Sequence, residues 1–363
     1  MTYEPLRLGV IGCGMIAQAH AAAIRFNADD GLVRCVAAAD PNPNGIDQFA
    51  AIVGGVEHRF ADGMQVIENS DVDAVVLITP TRFHREYVLA TCASGKPLFT
   101  EKPLAPTFDV VKELCDAVRV SGIRAQVGFQ SRFHPIVRRL REIILTGELG
   151  APMGYSLRDD QYWPTGDVVP GHTSWRSDLN EAGGGALLEH SIHSCDILAW
   201  LFGPADRVFA TKRHVFGYSV EDTVALTIEH AGGVIGNLIS IFNGVRGREE
   251  RRLEVFFERG TVELTTDFLV GAVEDSLLIQ RPDQLAERID VSALRREWFI
   301  RDGCDPDREY FVYQYFAHRA FAQSLRDGTA ICPGFDDALR AHSIVEAGYR
   351  SCESRLPVLV RDL

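Results

Sequence analysis

Short, almost wholly apolar runs recur through the first third of the chain. They cover residues 6–11 (LRLGVI), 32–39 (LVRCVAAA), 74–78 (AVVLI), 97–100 (PLFT) and 124–128 (RAQVG). Turn signals close them: glycines after the first, then Asp40-Pro41, Thr79-Pro80 and Glu101-Lys102-Pro103. Segments of helical composition fit between, the first of them alanine-rich over 15–27. Strands that are apolar on both sides and alternate with helices predict a parallel sheet covered on both faces.

Past Gln130 the pattern changes. A helix is expected over 132–146, ended by Gly147, then an alternating strand over 153–161 and a long helix over 185–202, ended by Gly203-Pro204. Two hairpins follow. Residues 223–230 and 234–242 flank Ala231-Gly232-Gly233, and 252–258 and 261–266 flank Arg259-Gly260. Such short turns between alternating runs predict an antiparallel sheet. Further helices are expected over 309–325 and 335–353. The fold class is therefore α/β. A doubly wound parallel-sheet domain of the dinucleotide-binding (Rossmann) kind is expected over 1–128. An α+β domain with an open, mainly antiparallel sheet is expected over 129–363.

Length agrees, since 363 residues exceed one ordinary core. Composition is ordinary for a globular chain, at 46% hydrophobic and 24% charged. The net charge of −13 is spread along the chain and argues against a nucleic-acid partner, whose phosphates need basic patches. No apolar run reaches the roughly 18 residues of a membrane span, and the start lacks the basic and apolar regions of a secretory leader. Eight cysteines lie far apart with no CxxC and read as reduced, mostly buried residues, with the cytoplasm as the expected location.

Gly12-Cys13-Gly14-Met15-Ile16-Ala17 joins the first strand to the first helix. Gly12 permits the tight turn, Gly14 lets backbone approach a pyrophosphate, and Ala17 lets helix and strand pack closely. The free amides of the helix start, at Met15 and Ile16, favour an anion. Asp40 ends the second strand, where a carboxylate accepts both ribose hydroxyls and repels a 2′-phosphate, favouring NAD over NADP. Asp40-Pro41-Asn42-Pro43 is also a plain turn sequence; no arginine directly follows Asp40 to welcome a phosphate, though Arg59 could come near in space. Thr79, Pro80, Thr81 and His84 occupy one further strand end, and Glu101 and Lys102 another. A lysine there, partly desolvated, can exchange a proton with a substrate hydroxyl; most lysines are simply surface residues.

Gly183-Gly184-Gly185 precedes Glu189, His193 and Asp196. In an α-helix these three share a face, so that carboxylates flank an imidazole as a general base requires. A core-satisfied helix face is the plainer alternative. Metal ligation lacks a third and fourth ligand, and no metal is expected.

Together these marks resemble the Gfo/Idh/MocA oxidoreductases: the GxGxxA turn at Gly12, the Glu101-Lys102-Pro103 motif, and the GGG…(D/E)xxxHxxD segment from Gly183 to Asp196, in that order, with Pro80 and His84 between. The resemblance spans essentially the whole chain. It implies Lys102 as catalytic lysine and His193 as acid/base, with Glu189 standing where dehydrogenase members carry aspartate. It implies that Gly12, Gly14, Met15, Ile16, Asp40, Thr79, Pro80, Thr81, His84, Glu101 and Lys102 line the cofactor. The implied activity is NAD(P)-dependent hydride transfer with a secondary alcohol of a sugar, sugar acid or cyclitol. Lys102, Trp163, Arg176, Glu189 and His193 are candidate substrate contacts, with Tyr162, His172 and Trp175 in the same aromatic stretch. The implied assembly is a homodimer or homotetramer through the second domain's sheet. Two alternatives stay open: an enzyme that holds and recycles its NAD(P), and a non-catalytic dinucleotide sensor.

Overall fold

The computed structural model describes residues 4–162, 174–243, 245, 249–267, 274–307 and 314–363. The chain divides into two compact units. The first comprises Met1–Gln130, Glu181–Gly183 and Val312–Leu339; the second comprises Ser131–Asn180, Gly184–Phe311 and Arg340–Leu363.

The first unit is built on six parallel strands: β1 (Leu6–Ile11), β2 (Val33–Ala39), β3 (His58–Phe60), β4 (Ala74–Leu77), β5 (Leu98–Thr100) and β6 (Ala125–Val127). Their spatial order is β3-β2-β1-β4-β5-β6. The order reverses between β1 and β4, and ligands bind at such a reversal, beyond the carboxyl ends of the strands. Val10, Val36, Val75, Val76 and Leu98 are wholly buried, which is why these strands read as unbroken apolar runs. The helix Met15–Asp29 lays Ala17, His20, Ala21, Ile24 and Asn27 on its buried face. Strand β3, three residues long and only half-buried, leaves too short a pattern to be read from sequence.

The second unit carries nine strands: β7 (Pro152–Tyr162), β8 (Ala205–Arg213), β9 (Thr223–His230), β10 (Ile235–Asn243), β11 (Glu250–Phe257), β12 (Gly260–Thr266), β13 (Ser276–Gln280), β14 (Glu287–Arg288) and β15 (Val358–Leu359). Their order is β14-β13-β12-β11-β7-β10-β9-β8-β15. All neighbours pair antiparallel except β7 and β10, which run parallel at the centre. Both expected hairpins form, β9 with β10 and β11 with β12. Strand β8 was hidden because a register shift between Ala205 and Arg207 breaks its alternation.

One expected element is corrected. The pattern over 185–202 predicts a single α-helix; the backbone instead forms a π-turn over Ala186–His190, breaks at Ser191, and resumes as the α-helix Ile192–Phe202. The expected helix over 309–325 is seen as Gln314–Asp327, with 309–313 outside the described residues. Among the described residues no helix is long and apolar enough to cross a membrane. All eight cysteines are unbonded, and Cys332 is the exposed one.

Candidate active site

The glycine turn follows from β1 and its helix. Gly12 has φ +95°, and a Cβ there would lie 2.5 Å from the Ile78 carbonyl oxygen, so no other residue fits. Above Gly14 an added Cβ would meet nothing within 4 Å. No side chain caps the helix at Gly14, and its first turn holds no acid. Met15 is 43% exposed. The helix start is thus uncapped, with open space beside Gly14 and no acid in its first turn, which fits a pyrophosphate.

Asp40 shapes the same corner. Its Oδ2 accepts from the Cys13 amide at 2.8 Å and its Oδ1 from the Asn42 amide at 2.8 Å. The plain-turn role and the ribose role therefore coexist, because a carboxylate offers about four acceptor positions and two are used. Arg59 is paired with Asp47. That pairing competes with any 2′-phosphate for the guanidinium, and NAD fits the corner better than NADP. Burial, then the Asp40 charge, push the Cys13 thiol up to about 12, so it stays neutral here.

At the end of β4, His84 is fully buried and its Nε2 lies 2.9 Å from the Thr79 carbonyl oxygen. Burial holds the imidazole below its usual range. It therefore braces the Thr79–Pro80–Thr81 turn from inside; Thr81 is buried and Pro80 exposed. At the end of β5, Glu101 is 5% exposed and accepts from the Lys102 amide at 3.1 Å. Burial alone would raise its carboxyl, but His20 and the Lys102 charge outweigh that and hold it below the usual range. Lys102 is half-buried at the strand end.

In the second unit, the glycine segment is held from a distance. A Cβ on Gly185 would stand 1.9 Å from the Glu221 carbonyl oxygen. The buried Glu221 side chain accepts from the Gly185 amide at 2.9 Å, the Leu187 amide at 3.0 Å and the Tyr349 hydroxyl at 2.8 Å. It caps the π-turn as an N-terminal carboxylate would. The break at Ser191 has its cause in β7. Asp159 is buried in the sheet, in register with Arg251 of β11 and Ser240 of β10. Its carboxylate contacts His190 Nε2 at 2.6 Å and Arg251 Nε at 2.9 Å, and accepts from the hydroxyls of Ser191 at 2.8 Å and Ser194 at 2.5 Å. Burial opposes its charge, yet Arg251 and His190 hold it far below the ordinary carboxylate range. Drawing in residues 190, 191 and 194 together forces the extra residue into the preceding turn.

Glu189 and His193 flank that break, 5% and 6% exposed. Glu189 Oε2 is 3.5 Å from Arg176 Nε, and the Arg176 guanidinium lies 4.5 Å from the centre of the Trp175 ring. Asp196, the second acid of that predicted face, has a strong partner of its own. It is fully buried and clasped bidentately by Arg132 at 2.7 and 2.6 Å. Trp163 and His172 lie outside the described residues. Sequence reasoning missed Asp159 and Glu221; the signals were the Asp159-Asp160 pair inside a strand and Glu221-Asp222 beside an apolar run. It also missed His20, three residues after Ala17 on the apolar helix face. Among the described residues no group of three His, Cys, Asp or Glu is placed to hold a metal.

A reversing six-stranded parallel sheet, an open glycine turn and an acid at the end of β2 define an NAD-binding oxidoreductase unit. Comparison with known proteins agrees. A family described as an oxidoreductase family with an NAD-binding Rossmann fold matches residues 6–129, and the GFO/IDH/MocA C-terminal domain matches residues 137–263. The chain belongs to the GFO/IDH/MocA oxidoreductase family. It is similar to an inositol 2-dehydrogenase of Burkholderia lata, 29% identical over 343 residues, 93% of this chain and 94% of that one. It is 32% identical over 266 residues to an inositol 2-dehydrogenase of Ralstonia nicotianae, covering 71% of this chain and 74% of that one. Among solved structures, levoglucosan dehydrogenase in complex with NADH shares the fold, with a TM-score of 0.85 at 23% identity, over 98% of this chain and 99% of that chain.

Proposed function

We propose that this enzyme transfers hydride between NAD and a secondary alcohol of a cyclitol or sugar. The observation that carries the reading is Lys102 at the carboxyl end of β5, backed by an anionic Glu101, in the same sheet as the open Gly12–Gly14 turn. The inositol 2-dehydrogenase relatives support the substrate class.

Bound NAD supplies the hydride acceptor at its nicotinamide. The chain's own residues do the rest. The amides of Met15 and Ile16 bind the pyrophosphate, Asp40 accepts from the ribose, and Thr79, Pro80 and Thr81, braced by His84, line the nicotinamide side. Lys102 donates to the substrate hydroxyl oxygen, and His193 takes the hydroxyl proton as the C–H bond breaks. Glu189 orients His193 while sharing its charge with Arg176. Arg176, close to Glu189 and to the Trp175 ring, offers hydrogen bonds to a polyhydroxylated ring. The division of labour follows the expected domains, cofactor on 1–128 and substrate on 129–363.

The outer face of the second sheet supports self-association into a dimer or tetramer. Phe209, Ile235 and Phe256 alternate with buried positions on their strands and are 41%, 57% and 42% exposed. A cytoplasmic site of action fits eight unbonded cysteines.

The test is a panel of inositols, sugars and sugar acids with NAD and NADP, followed by nicotinamide absorbance. Lys102→Ala is the control, and undiminished turnover in it would remove the lysine from the chemistry. Net NADH release with one substrate separates a dehydrogenase from an enzyme that recycles its cofactor.

A further inference from the structure

From Glu101, next to Lys102, a chain of buried polar groups runs inward to two histidines that the reaction above does not use. Glu101 Oε1 stands 3.1 Å from His20 Nε2, off the ideal hydrogen-bond line, and His20 Nδ1 stands 2.8 Å from His318 Nε2. His20 is wholly buried and His318 is 1% exposed. Three elements meet here: the helix Met15–Asp29, the end of β5, and the helix Gln314–Asp327. Phe99 closes the remaining side, stacked on His318 with ring centres 4.5 Å apart and edge-on to His20 at 5.9 Å. A Cβ on Gly128 would lie 2.3 Å from Glu101 Oε1, so the glycine leaves room for the carboxylate.

We propose that Glu101, whose carboxylate accepts from the Lys102 backbone amide, and His20 and His318 behind it are positioning residues that together hold Lys102 in its charged form. The inference deepens the reading of Lys102 given above and rests on it. The carboxylate favours the neighbouring cation. His20 turns Nε2 toward the carboxylate, which leaves Nδ1 to accept from His318 Nε2–H. The His20–His318 hydrogen bond and the close approach of His20 to the carboxylate then orient both ring dipoles toward Glu101, in a low-dielectric interior where such an arrangement acts strongly. Burial, then the neighbouring His20, hold His318 well below its usual value, as a neutral donor requires. Among the described residues, the charged or titratable groups that act on Glu101 include His20 and Lys102, Glu101 in turn acts on the buried His84, and His20 faces both Glu101 and His318.

The experiment measures the proton affinity of Lys102 directly, in the full-length chain without substrate. The pH dependence of trace acylation by acetic anhydride is read at the Lys102 peptide by mass spectrometry. In Glu101→Gln the midpoint should move to lower pH by about one unit, a tenfold change. His20→Gln should move it the same way by less, and His318→Phe, which keeps the stack on Phe99, by less again. An unchanged midpoint in Glu101→Gln, or in both histidine variants, overturns the proposal. If Glu101→Gln does not fold, the two histidine variants decide it. A Lys102→Ala enzyme with full turnover would sink the catalytic reading while leaving the acylation result intact, so the two failures are distinguishable.

Discussion

Asp159 and Asp40 are both aspartates at sheet positions, and they differ in what they have left to give. Asp159 receives four partners, two of them cationic or imidazole nitrogens, and is wholly buried. Its acceptor capacity is full, so it is a structural anion that shapes the segment between Glu189 and His193. Asp40 has two backbone partners and a half-exposed face. Its remaining capacity points to a ligand. The saturated carboxylate of Asp159 builds the fold, whereas Asp40 at its strand end keeps the acceptor positions proposed for the cofactor's ribose.

The largest effect expected is on the strand-end side. Lys102→Ala should lower kcat by about 10²–10⁴-fold, as loss of a group acting on the reacting proton does. Unfolding free energy should be nearly unchanged, because the residue is half-buried at a strand end. Steady-state kinetics beside a urea titration checks both.

Asp159→Asn should do the reverse. Removing one member of a buried ion network costs about 3–5 kcal/mol, because Arg251 is left uncompensated. Denaturant unfolding measures it. A loss under about 1 kcal/mol would mean that the network is not what fixes the π-turn.

Acid should weaken the fold earlier than carboxylate protonation alone predicts. Desolvation holds His84, His230 and His318 below their usual values. The unfolded chain takes up their protons below about pH 6.5 while the native chain does not. Their contribution is complete above that pH and is lost as pH falls toward the folded values, about 1.4 kcal/mol per pH unit for each histidine. Stability curves at several pH values test this. Replacing His318 by Phe should make the slope shallower; a steeper slope would show the wrong sign.

The smallest effect sharpens the comparison. Asp40→Ala should weaken NAD binding by about tenfold, near 1.4 kcal/mol, and narrow the preference over NADP. Thermal shifts with each dinucleotide report it. Equal losses for both would assign Asp40 to the turn alone.

Much of this site was legible in sequence, because its signals are local. A glycine turn between strand and helix, an acid closing β2 and a lysine closing β5 each depend on neighbours within a few residues. The alternation of short apolar runs with helices likewise gave the doubly wound sheet, since burial on both faces leaves a continuous apolar pattern. What stayed hidden depends on partners far along the chain. The Glu221 cap on Gly185 and the grip of Asp159 on His190 join segments more than thirty residues apart. His318 reaches His20 across 298 residues. The sequence determined which elements form and where reactive groups sit at their ends. Only the tertiary structure decided that the helix before His193 takes an extra residue, that β7 and β10 run parallel, and that a buried carboxylate stands behind Lys102. Those outcomes follow from buried charges having to find partners, and no periodicity records where the partner lies.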